Sequence, residues 1–163
     1  MKTLVVYYSR TGNTKRIGDE LAAAIGADVE ELTDGKNRRG PIGFIMSGRE
    51  AQKKQMVTLE PLRHNPAGYD VVVVGSPIWA NGICTPVLTF LAQHKHEMKH
   101  AAWFCTSGSI NPKYAARGFA AMAEASGLTP VATLGMGRLH IKREHAASLS
   151  AFAEKITRQG PEQ

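Results

Sequence analysis

Cysteine is nearly absent from this sequence. Cys84 and Cys105 are the only two in 163 residues, and both sit among apolar neighbours. That excludes a small scaffold stapled by disulfides and points to free, buried thiols in a reducing cytoplasm. Aromatic residues make up 7%. No basic stretch carries interleaved aromatics, so no nucleic-acid role is expected. Long apolar runs are missing too. The opening MKTLVVYYSR has a short apolar run behind one lysine, too short for a signal-peptide core, and no later run reaches the length of a membrane span. Acidic charge is scarce: 14 Asp and Glu stand against 20 Lys and Arg, a formal net charge of +6. Such a surface favours an acidic or anionic partner.

Repeats, low-complexity tracts and an obvious linker are also lacking, and the length suits one domain, residues 1–160. What is present is an alternation. Leu4 to Tyr8 predicts a buried strand and Asn13 to Ile25 a helix, with Ile17, Leu21, Ala24 and Ile25 on one face and Gly26 placed to end it. Asp28 to Leu32 is a shorter, more polar strand near an edge. Asp70 to Gly75, DVVVVG, is continuous in valine, as a parallel strand buried on both faces should be. Thr85-Pro86 and Asn111-Pro112 each read as a cap and first turn of a helix. Ala102 to Thr106 and Val131 to Leu134 are further strands. A last helix buries Leu149, Phe152, Ala153 and Ile156. Strands alternating with helices imply a parallel sheet covered on both faces, a three-layer α/β sandwich.

One segment interrupts that rhythm. Between Thr33 and Pro66 a single crossover helix, GPIGFIMSGREAQKK, is expected, with Ile42, Ile45 and Met46 facing inward. Its flanks carry Lys36, Arg38, Arg39, Arg49, Lys53 and Lys54. They read either as a solvated basic loop or as a docking surface for an acidic partner.

The first strand-to-helix corner, YSRTGNTKRI, is crowded with small polar residues. In a doubly wound sheet, ligands sit beyond the carboxyl ends of the strands, where this loop lies. Ser9, Thr11, Asn13 and Thr14 offer side-chain donors, Gly12 lets the backbone curl closely, and the helix start adds unpaired N–H groups and a positive dipole end. The pattern suits a phosphate, although both the Walker A spacing and G-x-G-x-x-G are absent.

At this point the sequence resembles the flavodoxin family. S-R-T-G-N-T is similar to that family's S/T-x-T-G-x-T loop. G-S-P-I-W-A-N-G, Gly75 to Gly82, is similar to its first flavin-facing loop, and T-S-G-S-I-N-P, Thr106 to Pro112, to its second. The resemblance implies a flavodoxin-like sandwich with a five-stranded parallel sheet in the order 2-1-3-4-5, and FMN as cofactor. It also implies the roles. Ser9, Arg10, Thr11, Gly12, Asn13 and Thr14 would hold the phosphate. Pro77, Ile78, Trp79, Ala80, Asn81 and Gly82 would line the ring, with Trp79 stacked on one face. Thr106, Ser107, Gly108 and Ser109 would offer backbone N–H groups to the pyrimidine oxygens. Ala80 stands where the family often has glycine, at a turn that wants φ > 0 in its flipped form, which a Cβ opposes.

Other departures shape the functional expectation. Where many electron-carrying relatives place a tyrosine over the ring, this chain has Ser107, Gly108 and Ser109, which leaves one flavin face open. His94, His96 and His100 diverge at the end of a helix and are not expected to bind metal. Cys84 has no paired base, so an inert thiol is expected. The expected function is an electron carrier serving an acidic redox protein or a small electron acceptor. The alternative is an NAD(P)H-dependent FMN reductase acting on quinones or similar acceptors. The sequence does not separate a monomer from a homodimer.

Overall fold

The apolar runs pair side by side, as strands buried on both faces do. The computed structural model describes residues 1–80, 82–109, 111, 113–143 and 145–158. Strand β1 (Thr3–Tyr7) lies between β2 (Asp28–Glu31) and β3 (Val71–Trp79), and β5 (His100–Ser107) and β6 (Thr133–Gly137) follow. The order is β2-β1-β3-β5-β6, every pair parallel. That is the 2-1-3-4-5 arrangement expected of a flavodoxin-like fold, plus a two-residue strand, β4 (Gly82–Ile83), folded back antiparallel on the end of β3.

Helices cover both faces. On one, α1 (Asn13–Ile25) and α6 (His145–Arg158) bury Ile17, Leu21, Leu149, Phe152 and Ile156 against Val5, Val71, Val73 and Phe104. On the other, α3 (Thr85–His94) and α4 (Lys113–Ser126) bury Val87, Phe90, Leu91 and Met122 against Leu4, Val72, Val74 and Trp103. Gly26 ends α1 at φ 63, in the left-handed conformation that glycine adopts without strain. Helix α3 starts one residue earlier than expected. Cys84 is its cap position and Thr85 lies inside, fully buried, while Ser76 Oγ accepts the Cys84 N–H at 3.1 Å. Pro112, part of the expected start of α4, lies outside the described residues, but Asn111 Oδ1 accepts the Lys113 N–H at 3.0 Å as a cap would.

Two departures from the sequence pattern matter for the site. The last strand begins at Thr133 rather than Val131, runs on to Gly137, and leads into an unexpected six-residue helix, α5 (Arg138–Arg143). Glycine hid this stretch. A Cβ on Gly135 would stand 2.5 Å from the Ala115 Cβ, so α4 packs too closely on β6 for any side chain there.

The second departure is α2 (Gly40–Gln52), whose buried face is the reverse of the one expected. Ile42, Ile45 and Met46 point outward, exposed by 76%, 60% and 48%, together with Phe44 at 64%. Gly43, Ser47 and Glu50 face inward instead, at helical spacing. Gly43 rests on the Arg38 backbone, and Glu50 completes a buried ion network. Arg38 donates to Asp34 Oδ1 at 2.5 Å and to Glu50 Oε2 at 2.7 Å, while Lys36 donates to Glu50 Oε1 at 3.0 Å. Apolarity gave way here to satisfying a buried guanidinium. The basic flank is therefore not one continuous surface. Arg38 is buried, and Lys36 and Lys54 are ion-paired, Lys54 with Glu124.

Candidate functional site

Three loops meet beyond the carboxyl ends of β1, β3 and β5. After β1 the chain turns at Gly12, φ 96, which caps α1 without any side-chain hydrogen bond to the helix. Ser9 Oγ accepts the Gly12 N–H at 3.1 Å and holds the curl. Thr11 and Asn13 are exposed at the rim. Thr14 is buried, and its hydroxyl lies 2.8 Å from that of Thr106 at the end of β5. One hydroxyl of that pair donates to the other, which leaves a single hydrogen free for a ligand.

The second loop is more regular than a loop. Ser76 and Pro77 still pair with Cys105 and Thr106, and Ile78 and Trp79 then pair antiparallel with Ile83 and Gly82. Ala80 opens the two-residue connection at φ 46, the left-handed value that primed hairpin turns require. The conformation that a Cβ opposes is thus already adopted. Asn81 lies outside the described residues. Trp79 is 7% exposed, edge-on to Tyr8 with ring centroids 5.5 Å apart, and the Arg38 guanidinium lies 5.6 Å from its ring.

Between the loops is a cavity of about 480 Å³, within the roughly 300–1,000 Å³ typical of small-molecule sites. Of the residues singled out in the sequence, Arg10, Thr11, Asn13, Thr14, Pro77, Ile78, Trp79, Thr106, Ser107 and Gly108 line it. Ser9, Gly12, Ala80 and Gly82 shape the surrounding loops instead, and Ser109 lines a neighbouring cavity. Three further lining residues escaped the sequence reading: Phe44 of α2, and Arg138 and Lys142 of α5. A signal for the last two existed. The run RLHIKR follows the predicted last strand, Val131 to Leu134, with three residues between, beyond the carboxyl end where ligands sit.

The electrostatics are one-sided. Among the described residues no carboxylate lines the cavity, and Arg10, Arg138 and Lys142 make no ion pair. Arg10 stacks over the Phe44 ring at 5.2 Å. Cations, hydroxyls and the open N-terminal turn of α1 suit a phosphate, while Pro77, Ile78 and Trp79 form an apolar wall suited to a flat ring. This donor set fits a mononucleotide such as FMN. Burial disfavours the thiolate at both cysteines, pushing the Cys84 thiol up to about 12 and raising Cys105 as well. Among the described residues no cluster of His, Cys, Asp and Glu is arranged to hold a metal, and no helix is long and apolar enough to cross a membrane.

No curated protein matches the sequence. Solved structures share its fold. A flavoprotein from Lactobacillus acidophilus in complex with FMN is 23% identical, with a TM-score of 0.70 over 87% of this chain and 97% of the other. Flavodoxin 1 from Bacillus cereus is 17% identical, with a TM-score of 0.58 over 98% and 99%. An NADH:FMN oxidoreductase in its apo form is 13% identical, with a TM-score of 0.59 over 100% and 92%. The sequence model described as Flavodoxin matches residues 2–127, including the β1, β3 and β5 loops that frame the cavity, and the chain belongs to the flavodoxin family.

Proposed function

We propose that the chain binds FMN in this cavity and works as an electron carrier in a reducing cytoplasm. The observation that carries the reading is the cavity itself, with anion donors at one end and an apolar wall at the other, in a flavodoxin-family chain. Thr11, Asn13, the free hydrogen of the Thr14–Thr106 pair and the first N–H groups of α1 would hold the phosphate, with Arg10, Arg138 and Lys142 adding field. Ile78, Trp79 and Pro77 would pack on the ring, and Thr106 to Gly108 would aim backbone N–H groups at its pyrimidine edge, where negative charge is favoured by nearby donors. Bound there, the flavin would supply the redox chemistry.

The carrier reading draws on the outward face of α2. Ile42, Phe44 and Ile45 form an exposed apolar strip that reaches the cavity rim through Phe44, with Arg39, Arg49 and Lys53 exposed on the same segment. An apolar centre within a cationic surround suits a protein partner of acidic character. A second reading, an NAD(P)H-dependent FMN reductase acting on quinones or similar acceptors, draws on Ser107, Gly108 and Ser109, which would put no aromatic side chain over the ring.

The purified protein should be yellow, with one FMN per chain. A colourless protein that ignores added FMN overturns the cofactor assignment. Sustained NAD(P)H oxidation by the isolated protein with a quinone would replace the carrier with the reductase.

A further inference from the structure

A second cavity, of about 710 Å³, lies behind the Thr106–Ser109 loop and shares Ile78 and Ser107 with the first. It is larger than the proposed cofactor site, and apart from Ile78, Ser107 and Ser109 none of its lining residues has a part in holding the flavin. Its floor is Met136 and Cys105, buried at the ends of β6 and β5. Phe119, Ala115 and Ala116 of α4 form one wall, and Leu139 and Arg143 of α5 stand at the other side.

The hollow is not a slack seam between helix and sheet. A Cβ on Gly118 would stand 2.5 Å from Ile78 Cδ1 and 2.7 Å from Cys105 Sγ, and one on Gly135 would stand 2.5 Å from the Ala115 Cβ. Helix α4 is therefore seated as closely as glycine permits along the cavity floor. Tight packing at that contact fixes the space beside it, because close-packed interiors do not deform gradually.

The chemistry of the lining is selective. Phe119, Met136, Ile78 and Leu139 offer an aromatic ring, a thioether and branched apolar groups, and Leu139 is 52% exposed at the opening. No carboxylate lines the cavity among the described residues. His140 is engaged with Ser148 Oγ at 3.0 Å, whereas Arg143 makes no ion pair among the described residues. Asn111 uses its Oδ1 on the Lys113 N–H, leaving its NH₂ group to donate.

We propose that this cavity is a second ligand site that takes a small amphipathic anion. The apolar body, a fused aromatic system, would rest against Phe119, Met136 and Ile78, and its carboxylate or sulfonate would meet Arg143 at the opening. The site stands on its own geometry and does not require FMN. Ile78 and Ser107 belong to both cavities, and coupling between the two ligands would be equal in both directions.

The test is isothermal titration of anthraquinone-2-sulfonate into the FMN-loaded protein and into the flavin-free chain. One equivalent should bind, more weakly as salt rises. Ala116→Trp, which fills the cavity from an exposed position, should weaken the probe by at least about tenfold while FMN retention is unchanged. Arg143→Gln should weaken the sulfonate and abolish its salt dependence, yet leave uncharged menadione unaffected. Leu139→Asp at the opening repeats the test should Ala116→Trp fail to fold by circular dichroism. Unchanged affinity in the folded variants overturns the site. So does one-for-one displacement of FMN, and so does binding lost only in Ile42→Ser/Ile45→Ser, which would locate the probe on α2. Binding to the flavin-free chain of a protein that never accepts FMN would leave this site standing and remove the cofactor reading alone.

Discussion

The hydroxyls of Thr14 and Thr106 meet at 2.8 Å although the residues are 92 apart in the chain, so one hydrogen bond ties the start of α1 to the end of β5. Both residues are almost fully buried, at 2% and 4% exposure. Removing either partner strands the other. Thr14→Val or Thr106→Val should each lose about 1–3 kcal/mol of stability, and the double variant should lose clearly less than their sum. Urea unfolding measures this, and additive losses would show that the two hydroxyls do not depend on each other.

The Arg38 network should appear in the pH dependence of stability. Burial opposes the charges on Asp34 and Glu50, but hydrogen bonds and attraction from Arg38, helped by Lys36, outweigh it and hold both carboxyls below their usual range. A carboxyl whose pKa is lower in the folded state contributes stability above its unfolded value, about 3.9 for Asp and 4.3 for Glu. That contribution is lost as pH falls through the folded values. Stability should therefore hold at neutral pH and decline below about pH 4. Arg38→Met should lose about 3–5 kcal/mol at pH 7, with a smaller deficit in acid as the stranded carboxyls take up protons. Parallel profiles for the two proteins would contradict this.

Helix α5 should matter for FMN. Arg138→Gln and Lys142→Gln remove charge from the cavity without touching the β1 loop. Each should weaken FMN retention, and the double variant should flatten its salt dependence, since screening acts only on the charges that remain. Thr11→Ala removes a hydroxyl donor to a charged acceptor and should weaken retention by about 1.5–3 kcal/mol whatever the salt. Equilibrium dialysis of FMN against each variant separates the two effects.

On the outer surface, reversing Arg39, Arg49 and Lys53 to glutamate should slow electron transfer to an acidic partner protein and leave FMN affinity alone. Arg38 does not belong in that set, because it is buried and its reversal would act on folding. Stopped-flow transfer rates across a salt series give the measurement; equal rates in parent and variant would return these cations to the role of a solvated face.

Most of the sheet was legible because continuous valine, capped helix starts and terminal glycines are local signals. Two things were not local. Counting apolar residues along α2 could not reveal that its buried face is reserved for Glu50, because the reason is an arginine lying before the helix in the chain. The role of α5 was hidden because Gly135 and Gly137 weaken the strand signal, and the need for glycine at 135 depends on Ala115 arriving from another helix. The phosphate-type loop was legible as chemistry, whereas the sharing of hydroxyls between Thr14 and Thr106 belongs to the folded chain alone.

Strand β3 has one further consequence. Its first residues are locked between β1 and β5, but Ile78 and Trp79 are held by only two pairs to β4. Amide exchange along this single strand should therefore be graded. Protection from Val71 to Val74 should approach that of global unfolding, while the hairpin tip should exchange through local opening. The wall of the cavity can then peel and reseat around a ligand one rung at a time, while the centre of the sheet stays closed.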